Sequence, residues 1–290
     1  MPTVSAEYQK KVLEDIRSYG GISHPVHARL PERLFVRRVK PAYLHPNPDD
    51  EFSQVKIGPN FGIVQRYEEQ FRHNISVGTN PVEEKLIVEK MSVGGYMLMN
   101  GHHRWLAATR VAEIKALPVK VVNVSTSEEI ISQVQESQRE MCVSFDLDEV
   151  LMTDGSAIPA ERKLIFPFSC FYPKTLRKNA AALIHSLHRL GCDVWVYTGQ
   201  FYSCSYIRRL FRLYGCRVDG IANGMKNKKY CAEVRQAFRE KYAVSIHIDG
   251  ESVLYVNTRT GEYDSRALQG GISWASDAFA AVKQLVKKQE

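Results

Sequence analysis

The chain has 290 residues, 44% of them hydrophobic and 24% charged, with a formal net charge of +7. That apolar content excludes a disordered chain and is enough for two domains with a core each. No apolar run approaches the about eighteen residues that a membrane span needs, and residues 1–20 mix Glu, Lys, Asp and Arg rather than building a signal peptide, so a cytoplasmic protein without a membrane partner is expected.

The basic excess permits a polyanionic partner such as nucleic acid, and an ordinary solvated surface accounts for it about as well. Cys142, Cys170, Cys192, Cys204, Cys216 and Cys231 all lie in the second half without a CxxC pair and are expected as reduced thiols.

In chain order, residues 3–19 carry Tyr8, Val12, Leu13 and Ile16 near helical spacing and stop at Gly20-Gly21, which predicts an amphipathic helix. Residues 34–39 read as a strand, the proline-rich 41–50 as an ordered loop and 64–71 as a short helix. A hairpin is predicted from 85–91 and 96–99 across Ser92-Val93-Gly94-Gly95.

The hairpin runs into Asn100-Gly101-His102-His103-Arg104. A strand stops at a glycine, and a helix begins with two imidazoles and a guanidinium in its first turn. Helix-start amides and a bidentate arginine make an anion site. The alternative is that His102 caps the helix and His103 packs. Residues 117–122 read as a strand, and a helix starting at Ser127-Glu128-Glu129 with Ile130, Ile131 and Val134 is expected as an interdomain linker over 125–140.

In the second half, residues 142–152 form an apolar run that ends in Asp146 and Asp148. Alternate residues of a strand share a face, so the two carboxylates are expected to converge on one cation and one phosphoryl group. Residues 153–171 form a short insertion, and Pro173 is expected to open a helix with Leu176, Ala180, Leu183 and Leu187 on one face.

A second apolar strand ends at Thr198-Gly199, and a third, 243–249, ends at Asp249-Gly250-Glu251. A lysine-rich helix start with Lys226, Lys228 and Lys229 precedes the third strand, and 204–214 and 273–288 read as helices. In an open parallel sheet, ligands bind outside the carboxyl ends of the strands, where these clusters fall.

Taken together, Asp146-Leu147-Asp148, Thr198, the lysines and Asp249 resemble the motifs of the haloacid-dehalogenase (HAD) superfamily of aspartate-nucleophile phosphohydrolases, over about residues 140 to 288. The resemblance implies a doubly wound parallel-sheet, Rossmann-like domain with a minimal cap. It implies Asp146 as nucleophile, Asp148 as acid and base, Thr198 and Gly199 at a phosphate oxygen, and Lys228 as the preferred lysine beside Lys226 and Lys229. Mg²⁺ would be held by Asp146, the backbone carbonyl of Asp148, and Asp249. Glu149-Val150 stands where the superfamily more commonly has Gly-Thr, and Glu251 could supply an oxygen that a second terminal aspartate provides elsewhere.

The Asn-Gly-His-His-Arg run followed by Trp105-Leu106-Ala107-Ala108 resembles the ParB/sulfiredoxin-type domain, over about residues 30 to 123. The resemblance implies that Asn100, Gly101, His102, His103 and Arg104 hold the phosphates of ATP, ADP or another nucleotide. Asn100 stands where kinase-like members carry an acid, and the sulfiredoxin cysteine is replaced by His102.

The expected architecture is thus α/β: a ParB/sulfiredoxin-like α+β domain over 1–124, the linker helix 125–140, and a HAD-like domain over 141–290. The expected function is Mg²⁺-dependent hydrolysis of a phosphorylated substrate such as a nucleotide or a nucleic-acid end. The alternatives are a nucleotide-dependent kinase of the free-serine type in the N-terminal domain, against which Asn100 speaks, and a nucleic-acid-binding module, against which the lack of a helix-turn-helix pattern speaks.

Overall fold

A computed structural model describes residues 2–22, 24–224, 228–250, 252–268, 271 and 273–287. The chain is mixed α/β with parallel and antiparallel pairing, and divides into two compact units, Met1–Asn123 and Val124–Glu290. Among the described residues no helix is long and apolar enough to cross a membrane.

The first unit runs α1 (Pro2–Ser18), β1 (Pro25–Val26), α2 (Leu30–Phe35), β2 (Arg38–Val39), β3 (Leu44–His45), α3 (Phe61–Ser76), β4 (Leu86–Met91), β5 (Tyr96–Asn100), α4 (His102–Thr109) and β6 (Leu117–Val121). Its sheet has the order β2-β6-β4-β5-β3, with β1 also paired to β4. The β4–β5 pair is the expected hairpin. Leu86, Val88, Met97, Leu98, Leu106 and Val119 are buried in its core.

Two expectations for this unit change. The segment 34–39 is mostly not a strand. Pro31 suits the first turn of a helix, and the Glu32 side chain accepts a hydrogen bond from the Arg29 N–H at 2.8 Å, so α2 forms first and only Arg38–Val39 pairs. Helix α3 is longer than 64–71 because Asn60 caps it, its Oδ1 accepting from the Gly62 and Ile63 N–H groups.

The second unit runs α5 (Ser127–Glu136), β7 (Met141–Asp146), a π-type turn over Leu147–Leu151, β8 (Met152–Thr153), α6 (Phe168–Phe171), β9 (Thr175–Leu176), α7 (Ala180–Arg189), β10 (Cys192–Thr198) and α8 (Cys204–Leu213). It continues with β11 (Gly220–Asn223), α9 (Lys228–Lys241), β12 (Val244–Ile248), β13 (Ser252–Asn257), β14 (Tyr263–Ala267) and α10 (Trp274–Lys287).

Its main sheet has the order β11-β10-β7-β12-β13-β14. The first four strands are parallel, and β13 and β14 add antiparallel strands at one edge. Alternation along β7 sends Val143 and Phe145 into a core with α7, α8 and α10. Cys142 faces the opposite way, into a second cluster that Ile130 and Val134 of α5 and Val234 and Phe238 of α9 complete.

Helix α5, expected as a linker, is therefore a packed part of the second unit. Thr126 caps it in a reciprocal box with Glu129, and the unit boundary falls before it. The helix expected from Pro173 begins only at Ala180, because Thr175–Leu176 pairs with Met152–Thr153 as a two-stranded flap. Gly220 lies opposite Trp195 in the β10–β11 register, where a Cβ would stand 2.2 Å from the buried indole. Only glycine permits that approach.

Candidate active site

Strand β7 is central. β10 lies on one side with Tyr197 opposite Asp146, and β12 on the other with Ile248 opposite Phe145. The next residues along, Thr198 and Asp249, therefore end the neighbouring strands beside Asp146. Three polar residues from three separate sequence stretches thus end adjacent strands at one side of the sheet, because parallel strands in register all end on the same side.

Asp146 and Asp148 do not share a strand face as expected. The strand ends at Asp146, whose Oδ1 accepts from the Glu149 N–H at 2.7 Å and so closes the turn that carries Asp148. Asp148 is held separately. Its Oδ2 accepts the Thr198 hydroxyl at 2.5 Å, and its Oδ1 accepts the Tyr202 hydroxyl at 2.8 Å and the Lys174 ammonium at 3.2 Å. Burial works against the Lys174 charge, and the hydrogen bonds and charges of Asp148 and Tyr202 together outweigh it, so the ammonium's pKa is raised. Burial, followed by the neighbouring Asp148, also raises the Tyr202 phenol.

Lys174 and Tyr202 were not among the residues singled out from the sequence. Tyr202 was within reach of that reading, since it follows the end of β10 by four residues, where site residues of parallel sheets collect. Lys174 had no such signal. It meets Asp148 only because the β8–β9 pairing folds its strand back over the turn.

Asp249 accepts from the Ser252 N–H at 2.7 Å, so it caps the turn into β13. Beneath these acids, His247 Nδ1 and Ser144 Oγ lie 2.9 Å apart, one register step back on adjacent strands. Burial pulls the His247 pKa down, against the opposing pull of Asp249 and Asp146. The Cys142 thiol is pushed up to about 12 by burial, which leaves it a core thiol rather than a nucleophile. The five cysteines described with side chains form no disulfide, as expected.

Among the described residues no group of three His, Cys, Asp or Glu side chains is placed to hold a metal ion, and the set expected here takes its Asp148 oxygen from the backbone carbonyl. The Asp148 carboxylate itself is occupied by the ammonium of Lys174, 3.2 Å away. Asp146 and Asp249, hard oxygen donors on adjacent strand ends, do suit a hard dication. Lys226 and Glu251 lie outside the described residues, as do the side chains of Lys228 and Lys229.

Asp146, Thr198 and the exposed Gly199 line one end of a cavity of about 540 Å³. A second, of about 680 Å³, is lined by Glu149, Asp249 and Gly250.

In the first unit, Gly101 takes the left-handed conformation, φ 99°, immediately before α4. A Cβ there would stand 3.4 Å from Nη2 and 3.5 Å from Nε of Arg104, so the guanidinium lies close to the start of the helix. Arg104 Nη1 is an ion contact of Glu84 at 2.6 Å but has no aligned hydrogen-bond acceptor among the described residues.

The two histidines have other work. His102 Nε2 accepts from the Asn47 N–H at 3.2 Å and His103 Nε2 from the Asn60 N–H at 3.0 Å, and both rings pack on Phe52. They tie the 47–60 segment to α4. Asn100 is the exposed last residue of β5.

In comparisons with known proteins, no family model, no curated protein and no solved structure matches the chain.

Proposed function

We propose that the second unit is a phosphohydrolase in which Asp146 accepts the phosphoryl group. The observation that carries the reading is the meeting of Asp146, Thr198 and Asp249 at the ends of three adjacent parallel strands, with the Asp148 carboxylate fixed beside them by Thr198, Tyr202 and Lys174. An arrangement with paired carboxylates and a cation suits in-line displacement at phosphorus.

In the first half-reaction an oxygen of Asp146 forms a bond to phosphorus as the ester P–O bond breaks, and the leaving oxygen takes a proton from Asp148. In the second, water attacks the aspartyl phosphate, its proton passes to Asp148, and the bond from phosphorus to Asp146 breaks to release inorganic phosphate. The Asp148 proton balance closes over the cycle.

Thr198 and Tyr202 orient the Asp148 carboxylate, and Lys174 offsets negative charge beside it. Because Thr198 has one hydroxyl proton and spends it on Asp148, it is a positioning residue for that carboxylate, while the exposed Gly199 marks the open side for phosphate. Mg²⁺ held by Asp146 and Asp249 would neutralise charge on the phosphoryl oxygens.

The test is hydrolysis of an aryl phosphate by the full chain with Mg²⁺ and with excess chelator. Release of phosphate that depends on Mg²⁺ is expected, and no release above a no-enzyme control with any of a panel of aryl, nucleoside and acyl phosphates would refute the reading.

For the first unit we infer a phosphate-holding turn, supported by the position of the Arg104 guanidinium at Gly101 before α4. A nucleotide is the ligand this suits. Kinase chemistry has less support, since the Asn100 amide is no base.

A further inference from the structure

The 540 Å³ cavity at Asp146 is more than the space for a phosphoryl group. Its lining includes Asp146, Ser144 and Cys142, which are alternate residues of β7, so it extends beneath α9 along one face of the sheet. Four residues of strand at about 3.3 Å each make it about 13 Å from the Asp146 end to the Cys142 end. Cys142 is opposite Ser245 in the β7–β12 register, and Ser245 also lines the cavity, so the far end is small and polar.

The walls are aromatic. Tyr197 projects from β10 and Phe238 from α9, with ring centroids 6.2 Å apart and planes inclined by 48°. Burial raises the pKa of the Tyr197 hydroxyl and keeps it a phenol. Arg235 and Arg239 of α9 line the same space and give it a positive sign.

Taking Asp146 as the phosphoryl acceptor, as proposed above, we infer that this cavity binds the rest of the substrate, and that the substrate is a phosphate monoester of a planar aromatic group, either a nucleoside or an aryl alcohol. The volume lies in the range of about 300 to 1,000 Å³ usual for small-molecule sites. A flat ring meets the Tyr197 and Phe238 faces, its polar edge reaches the Tyr197 and Ser245 hydroxyls, and its phosphate is left at the Asp146 end. A sugar phosphate would leave the aromatic walls unused. An acyl chain would bring no partner to the hydroxyls at the far end.

The test separates binding from turnover by using the full-length Asp146→Asn chain as the background for calorimetry. Inorganic phosphate, glycerol phosphate, AMP and phosphotyrosine are titrated in turn. Either AMP or phosphotyrosine, or both, should bind at least about thirtyfold more tightly than inorganic phosphate. The tighter of the two identifies the source as nucleoside or aryl.

Ser245→Phe fills the far end and should abolish that surplus while leaving inorganic phosphate binding unchanged. Should this variant fail to fold, Val256→Trp, at an exposed lining position, narrows the cavity instead and should reduce the surplus at least about tenfold.

Equal affinity for aromatic esters and inorganic phosphate would overturn the inference, as would aromatic-ester affinity unchanged in the filled variant. If the surplus is present but the native chain hydrolyses no ester, the aromatic site stands and the hydrolase reading falls.

Discussion

Thr198 donates its only hydroxyl proton to Asp148 at 2.5 Å and accepts the Gln200 N–H at 2.9 Å. The threonine at the end of β10 and the second acid after β7 are thus one unit, although fifty residues separate them. Thr198→Val keeps the volume and removes the donor. A hydrogen bond to a charged group is worth about 1.5 to 3 kcal/mol, so kcat for phosphate-ester hydrolysis should fall about ten- to a hundredfold. Thr198→Ser should retain most of the activity. Equal loss in both variants would mean that packing, not the donor, is what matters.

Among the described glycines of the second unit, Gly220 leaves the least room for a side chain. A methyl group there meets the Trp195 ring, and Trp195 is fixed by its Nε1–H bond to the Tyr242 hydroxyl at 3.1 Å and by the ring of Phe238. Overpacking of this kind costs about 1 to 3 kcal/mol. Urea denaturation of Gly220→Ala should show that loss, and an unchanged midpoint would contradict the close approach.

His103 sets an acid limit on the first unit. Burial holds its pKa below the ordinary histidine value of 6.5, against a smaller opposing pull from Asp50. The unfolded chain therefore binds a proton that the folded chain resists, and stability rises with pH from the folded pKa up to 6.5. Protonation would also cost the acceptor of the Asn60 N–H bond. Stability should thus fall as pH drops below 6.5, with a shallower slope in His103→Gln. Identical slopes would place the acid sensitivity elsewhere.

Arg104 and Glu84 compete in the same turn. If the turn holds phosphate, the anionic Glu84 occupies the guanidinium that the ligand needs. Arg104→Ala should weaken nucleotide binding by about thirtyfold or more, the equivalent of about 2 kcal/mol, while Glu84→Gln should strengthen it. Calorimetry with ATP, ADP and CTP checks both. Weaker binding in Glu84→Gln would show that the ion pair shapes the site rather than competing for it.

Much of this arrangement could be read from residue order alone. Strands β7, β10 and β12 announce themselves as apolar runs that end in Asp146, Thr198 and Asp249. Strand β11 is four residues, Gly-Ile-Ala-Asn, too short to carry a period, so nothing in the sequence marks it.

The 34–39 run fits a strand by composition, and α2 wins there through Pro31 and Glu32. The role of α5 depends on what covers Ile130 and Val134, and those partners lie far along the chain in Trp195, Phe238 and Tyr242. The cluster of Lys174, Tyr202 and Thr198 around Asp148 is likewise a product of tertiary pairing, so the sequence marks Thr198 and Asp148 but neither Lys174 nor their assembly.

The central claim is that Asp146 is the group that takes the phosphoryl. The most direct measurement is steady-state hydrolysis of an aryl phosphate with Mg²⁺ by the native chain and by Asp146→Asn, with circular dichroism as a control for folding. The substitution removes the attacking oxygen without changing volume, and activity should fall at least about a thousandfold with the dichroism unchanged. Hydrolysis by Asp146→Asn at the native rate, with the fold intact, would contradict the assignment.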